Sequence, residues 1–522
     1  MPGDRDRVRV NVGTKPRAEP ERTEVSSSSF DVLVLGDFSG RGHGDEDTGG
    51  PPLESRVPRP VDRDELERVM EEIAPELRLE LSAGEGRRQV RTRFERLEHF
   101  HPDRLARRVD AFDELVDLYR RLEGGEVSSP SSAGGDAPTG EASGDDGGGD
   151  SAPRDSGGSV LDDVISRSEG PGPDGSGPEG TGRSERKGGS PDDAFSEYLR
   201  ELVRPHLVEE EGAAPEDREL LEHLREVLEG GVRSLIHHPA FQALESTWRG
   251  LSFLVHRVES GSDVRIRLLD VSKVELERDL ARAAAGDESA LRRRLAEDGS
   301  GPSSAEPWSL LVGLFTFGPD DAGLLEGLGR LARSAGAPFL ASAAPPLAGL
   351  ASYARRPAPS DWEDPAGGDA WRELRGSELA PWLGLAAPRF LLRLPYGPED
   401  APCDVFPFRE MTSPPRHGDY LWGNPALLCA SLLAESFARQ GPEMRPGSRR
   451  EVDRLPLHLY STDGRTEATP CAEMLMTDSV ASRFMDRGLI PVASVKERNV
   501  VRVVRFQSIA DPPSRLRGPW SG

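Results

Sequence analysis

The stretch His237-His238-Pro239-Ala240-Phe241-Gln242-Ala243-Leu244-Glu245-Ser246-Thr247-Trp248-Arg249-Gly250-Leu251-Ser252-Phe253-Leu254-Val255 is the part of the chain from which the rest is read. Pro239 fits the first turn of a helix, where its missing N–H costs nothing. From there Phe241, Leu244, Trp248, Leu251 and Val255 recur at i, i+3, i+7, i+10 and i+14, one continuous apolar stripe. Glu245 and Arg249 stand four apart and are expected to pair along the flank of that helix. Periodicity by itself makes this a packed helix, expected over 239–257.

Outward from it, residues 192–510 read as one large region. Helices are expected over 192–210, 215–229, 321–336 and 425–439, and strands over 264–269, 308–315, 390–394 and 500–506. Residues 1–123 read as a smaller unit. There the run Phe30-Asp31-Val32-Leu33-Val34-Leu35 predicts a buried strand, ended by Gly36-Asp37-Phe38-Ser39-Gly40. Helices are expected over 62–74, with Leu66, Val69, Met70 and Ile73 on one face, and over 103–122, with Leu105, Val109, Phe112, Leu115, Val116 and Tyr119. Strands alternating with helices place both regions in the α/β (α+β) class.

Between the two regions the composition changes sharply. From 124 to 158, 21 of 35 residues are Gly, Ser or Pro, and a second such stretch covers 170–190. Residues 124–191 are therefore expected to be a flexible, disordered linker. One island, Ser159-Val160-Leu161-Asp162-Asp163-Val164-Ile165-Ser166-Arg167, keeps apolar residues on one helical face behind a plausible Ser159 N-cap. So short a helix is marginal in water, which suggests a peptide over 159–168 that folds on a partner. A helix docked on its own domain is the plainer alternative. The Pro/Arg/Gly tail over 511–522 is expected to fray and be disordered.

The 522 residues carry 66 basic and 91 acidic side chains, a formal charge of −25, and only 35% are hydrophobic. Such a balance argues against general nucleic-acid binding. Three dispersed cysteines, Cys403, Cys429 and Cys471, indicate neither a disulfide framework nor a zinc motif, so a cytoplasmic protein is expected. An apolar leader or a membrane-spanning run is not visible.

Chemistry finds little purchase. Leu33-Val34-Leu35-Gly36-Asp37-Phe38-Ser39-Gly40-Arg41-Gly42 places glycines after a strand, but it has neither a phosphate-loop Lys nor the GxGxxG pattern. It reads as a strand-ending turn in which Phe38 packs. His99-Phe100-His101 and His237-His238 have no third metal ligand at usable spacing in sequence. No GxSxG, HExxH or kinase-type set occurs. Catalytic, cofactor and metal residues are thus expected to be absent, and an enzyme is the remote alternative.

The 237–255 stretch resembles the FQxLExxWRGL signature of the large subunit of the type VI secretion contractile sheath (TssC/VipB). Further matches follow in order: Ala337-Pro338-Phe339, Pro388-Arg389-Phe390-Leu391-Leu392-Arg393-Leu394-Pro395-Tyr396-Gly397, Tyr420-Leu421-Trp422-Gly423-Asn424, Asp453-Arg454-Leu455-Pro456-Leu457 and Gly488-Leu489-Ile490-Pro491-Val492. The N-terminal region is similar to the small sheath subunit (TssB/VipA) at Arg7-Val8-Arg9-Val10-Asn11-Val12, at 33–41, and at Leu97-Glu98-His99-Phe100-His101-Pro102-Asp103. The chain looks like a fusion of the two.

The resemblance implies a structural protein, without an active site, that associates with itself or with other sheath subunits. Its other implied partners are the Hcp inner tube, the baseplate and the AAA+ recycling ATPase ClpV. It also implies that the island is the ClpV-recognised helix, with Leu161, Val164 and Ile165 filling a groove. Phe241, Leu244, Trp248, Arg249, Gly250, Pro388, Arg389, Phe390, Pro395 and Tyr396 are the family's signature and packing positions. Family large subunits continue with a C-terminal stretch not found after residues 500–506. Two readings follow: a sheath protomer that contracts around the tube, or a non-polymerising accessory or regulatory subunit of the same machine.

Overall fold

The computed structural model describes residues 29–43, 50–83, 86–123, 217–258, 263–298, 307–354, 357–358, 361–363, 368–496 and 498–520. The linker, its 159–168 island, the 192–210 helix and the 7–12 stretch lie outside these residues.

The N-terminal region supplies strands β1 (Phe30–Gly36) and β2 (Arg59–Pro60), helix α1 (Leu66–Ile73), a hairpin of β3 (Glu76–Ala83) and β4 (Gly86–Arg93), then α2 (Pro102–Arg108) and α3 (Asp110–Glu123). Next come α4 (Asp217–Ile236), α5 (Pro239–Arg257), β5 (Val264–Asp270), α6 (Lys273–Ala284), α7 (Ala290–Asp298), β6 (Leu310–Phe317), α8 (Ala322–Ala335), β7 (Phe339–Ala343), α9 (Gly368–Gly376) and β8 (Leu383–Ala387). The chain ends with β9 (Phe390–Leu391), β10 (Trp422–Gly423), α10 (Ala426–Gln440), β11 (Glu451–Val452), β12 (His458–Thr462), β13 (Arg465–Thr469), α11 (Asp478–Asp486), β14 (Leu489–Ser494) and β15 (Val501–Val503).

The α/β class holds, and the two regions share one sheet of nine strands in the order β11-β15-β14-β8-β7-β6-β1-β5-β2. β1 runs parallel between β5 and β6, with Phe30 opposite Val264 and Val32 opposite Leu310. The apolar run over residues 32–35 within β1 needs cover on both faces, and it has it. Val32 and Val34 pack with Trp248 and the α5 and α10 side chains, while Leu33 and Leu35 face Leu276 of α6 and Leu325 and Leu328 of α8. β2, two residues long and ending in Pro60, closes one edge of the sheet, as short proline-bearing edges do. Among the described residues no helix is long and apolar enough to cross a membrane.

Several elements differ from expectation. The helix expected over 103–122 is two helices, because Val109 takes an extended conformation and buries its side chain between them. The helix expected to stop at 229 continues to Ile236, since Val232, Leu235 and Ile236 prolong its buried stripe. The strand expected over 390–394 is only Phe390–Leu391; beyond it the chain turns Arg393 inward toward two carboxylates. The strand expected over 308–315 runs from Leu310 to Phe317, and that over 500–506 shrinks to Val501–Val503.

The expectation of a frayed tail is corrected for residues 511–520. Leu516 is buried, the Arg517 N–H donates to the Pro381 carbonyl at 2.8 Å, and Trp520 stacks on Phe30 with ring centroids 6.4 Å apart. An apolar residue every few positions is enough to hold so short a Pro-rich segment down. Gly40, at the end of the β1 turn, has φ 79° and sits where an added Cβ would lie 2.8 Å from the Glu76 carbonyl oxygen, so the turn requires glycine.

Candidate functional site

The signature helix α5 meets the N-terminal region through Phe241 and Trp248, and α10 on another part of its buried surface. Phe241 stands edge-on to Phe94 and Phe100, at 5.8 and 5.6 Å between ring centroids, and those two rings stack at 4.5 Å. Two turns later Trp248, fully buried, stands edge-on to Phe38 at 5.2 Å and donates its Nε1–H to the Phe38 carbonyl at 2.9 Å. Leu244, between Phe241 and Trp248 in the stripe, is fully buried. Gly250 is small for a reason: a Cβ there would lie 2.5 Å from Leu427 of α10, so the glycine sets how closely α5 and α10 approach.

The charged residues of α5 do something the periodicity did not indicate. Glu245 lies at 0% exposure, not along a solvated flank. It accepts from Arg249 Nε at 2.6 Å and from Arg393 Nε at 3.0 Å. Arg393 also donates Nη1–H to Glu410 at 2.7 Å, and Glu410, equally buried, accepts the Tyr396 N–H at 2.6 Å. Arg249 Nη2 donates to the Tyr396 hydroxyl at 3.0 Å, and the Arg393 guanidinium lies 4.1 Å over the Tyr396 ring. His237 approaches Glu410 at 3.6 Å from the start of the signature stretch.

Burial alone would raise the Glu410 carboxyl. The Arg393 charge, with the nearby His237 ring and hydrogen bonds from Arg393 and the Tyr396 N–H, overcomes it and holds Glu410 at about 2. Burial pushes the Tyr396 phenol up to about 12, against the opposing Arg393 charge. Each carboxylate is thus engaged by guanidinium groups. That arrangement joins the segments around 245, 393 and 410.

The N-terminal region docks onto this network. The His101 ring stands edge-on to Tyr396 at 4.8 Å, and the Asp103 carboxylate accepts the N–H groups of Asp404 and Val405 at 2.9 and 3.0 Å. Asp103 and Cys403 thus come beside His101, a neighbourhood that spacing in the sequence did not reveal. Burial, reinforced by Asp103, Glu410 and Asp404, pushes the Cys403 thiol up to about 12. A cleft of about 530 Å3 opens beside His101, Arg249, Arg393, Tyr396 and Arg454.

At the far end of β1 the glycine-rich turn behaves as a turn. The Asp37 carboxylate accepts the N–H groups of Arg41 and Gly42 at 3.1 and 2.7 Å, using the donors that a phosphate would need. Arg41 pairs with Asp270 of β5 at 2.6 Å, a second tie between the regions.

Of the expected signature positions, Phe241, Leu244, Trp248, Arg249 and Tyr396 converge on this junction. Gly250 faces α10 instead. Pro388, Arg389 and Phe390 lie apart. Pro388 is buried, Arg389 clasps Glu473 through two nitrogens at 2.9 and 2.6 Å, and Phe390 packs on Phe253 at 5.0 Å. Pro395 is buried beside Tyr396. Leu161, Val164 and Ile165 lie outside the described residues. Arg393, Glu410, Phe94 and Phe100 carry as much of the junction as the named positions do. Arg393 was within a quoted motif, whereas Glu410 reads as one acid among 91.

Comparison with known proteins gives consistent results for both regions. A VipB family model, described as the tail sheath N-terminal domain, matches residues 218–510, more than half of the chain. A type VI secretion system VipA model matches residues 4–124. The type VI secretion system sheath protein TssC1 of Pseudomonas aeruginosa (strain PAO1) is 33% identical over 295 residues, covering 54% of this chain and 59% of that relative. The chain therefore spans less than two thirds of the length of that relative.

Proposed function

Since the chain belongs to the type VI secretion tail-sheath family, joining a small-subunit (VipA, TssB) region to a large-subunit (VipB, TssC) region in one polypeptide, we propose that it is a structural subunit of the contractile sheath. In this reading it assembles with copies of itself or with other sheath subunits around the Hcp tube, on a baseplate, and ejects the tube by contraction. It works in the cytoplasm and makes or breaks no covalent bond. The observation that carries the proposal is the shared sheet: β1 of the small-subunit region lies between β5 and β6 of the large-subunit region. The protomer is thus a rigid two-region unit of the kind that can move as a body between two packings, the way a lattice stores and releases energy.

Negative-stain microscopy of the purified full-length chain, with and without Hcp tube, tests this. Cylinders are the expected result. Persistent monomers or small complexes in both samples would overturn the protomer reading in favour of a non-polymerising accessory subunit.

The reading extends to disassembly. Residues 159–168 are proposed to be the segment that ClpV engages, folding as a helix on it with Leu161, Val164 and Ile165 as anchors in a hydrophobic groove. Leu161→Asp combined with Ile165→Asp is expected to abolish pull-down of ClpV while leaving the circular dichroism and thermal unfolding of the chain unchanged. Pull-down at the wild-type level rejects the assignment.

A further inference from the structure

We propose that His101, Asp103 and Cys403 form a binding site for a borderline divalent transition metal of the Zn2+ or Co2+ kind, which would clip the N-terminal region to the loop around residue 403. A ligand atom from each of the three lies within 4.8 Å of the others, and all three side chains are partly buried. The set spans the junction. His101 and Asp103 open α2, whereas Cys403 follows the Gly397–Ala401 bridge of the large-subunit region.

The chemistry of the set selects the ion. One imidazole, one carboxylate and one thiol make a mixed N/O/S site, suited to Zn2+ or Co2+ and poor for Mg2+ or Ca2+, which demand several oxygens. Ligands around a tetrahedral ion stand roughly 3.5 Å apart, so the three atoms, all within 4.8 Å of one another, need only draw slightly closer. Three protein ligands leave one coordination position, and the cleft that His101 lines can supply water to it. Asp103, with Asp404 near the thiol, favours a cation there. The positive charges of Arg249 and Arg393 are already matched by Glu245 and Glu410. Asp103 keeps its backbone partners at 404 and 405, since each carboxylate oxygen has a second lone pair. On binding, the Cys403 S–H bond breaks, an S–metal bond forms, and the proton leaves to solvent with no change of oxidation state.

The test uses the tag-free full-length chain, stripped with a chelator and titrated with Co2+ alone. One equivalent is expected to bind, with a thiolate-to-cobalt charge-transfer band in the near ultraviolet. Cys403→Ser should remove the band and weaken Zn2+ binding in competition by about tenfold or more, whereas Cys471→Ser should leave both unchanged. His101→Asn, which keeps a side-chain acceptor for the Asp103 N–H, provides a second variant and should weaken Zn2+ binding similarly. Absence of the band in the wild-type chain, or a band that survives Cys403→Ser, overturns the proposal. Sheath assembly is a separate readout, so failure here and failure of the structural reading are distinguishable.

Discussion

Trp248→Ala is expected to lower the stability of the chain by about 3–5 kcal/mol, measured by denaturant unfolding followed by far-ultraviolet circular dichroism. Trp248 is at 0% exposure and stands against Phe38, so its removal leaves a cavity at the joint. The indole also holds the Phe38 carbonyl, which would be left buried without its donor. Trp248→Phe keeps most of the ring and gives up the N–H, and should cost about 1–3 kcal/mol. Because Phe38 sits just beyond β1, the loss falls on the joint between the two regions. A variant as stable as the wild type would show that this pair does not hold the regions together.

The second large effect belongs to Arg393→Met. Two fully buried carboxylates, Glu245 and Glu410, would lose the cation they share, while Arg249 remains for only one of them. Breaking a buried ion pair by removing one partner typically costs about 3–5 kcal/mol, because the charge left behind is neither hydrated nor matched. The pH dependence follows from Glu410, held at about 2 against 4.5 for the free group. A carboxyl lowered by folding stabilises the native state above its unfolded value, and that contribution disappears as pH falls from about 4.5 toward 2. Glu473, also held at about 2 by Arg389 and His417 against the effect of burial, adds to the same acid limb. In Arg393→Met the acid limb for Glu410 should move to higher pH. Unfolding midpoints measured across that range check it; an unchanged midpoint and an unchanged acid limb would mean that the network contributes little.

Much of the framework was legible because it rests on local repeats. The five-residue stripe of α5 and the apolar run over residues 32–35 of β1 each state a period and a number of buried faces, and both elements appear where they were read. The site was legible in fragments. Phe241, Trp248 and Tyr396 could be named, but their partners could not, since an aromatic stripe does not say which rings will meet it. The pairing of Glu245 with Arg249 was legible, but the burial of Glu245 was not, for a related reason. An i, i+4 pair of opposite charges is the commonest surface feature of a helix, and only Arg393, 148 residues away, with Glu410 behind it, makes burial of Glu245 tolerable. The tail after Asp511 was misjudged because composition counts its prolines and glycines without seeing that Leu516 and Trp520 find the base of the sheet.

By itself the sequence determined the class of the fold, the division into two regions around a Gly/Ser/Pro stretch, and the helix and strand that carry the family's motifs. These follow from turn residues and from periods of two and 3.6, which act over a few residues. Only the tertiary structure decided that β1 enters the other region's sheet between β5 and β6, and that two glutamates are buried against two arginines at the joint. Backbone pairing and charge compensation are relations between distant segments, and neither leaves a mark on either segment alone.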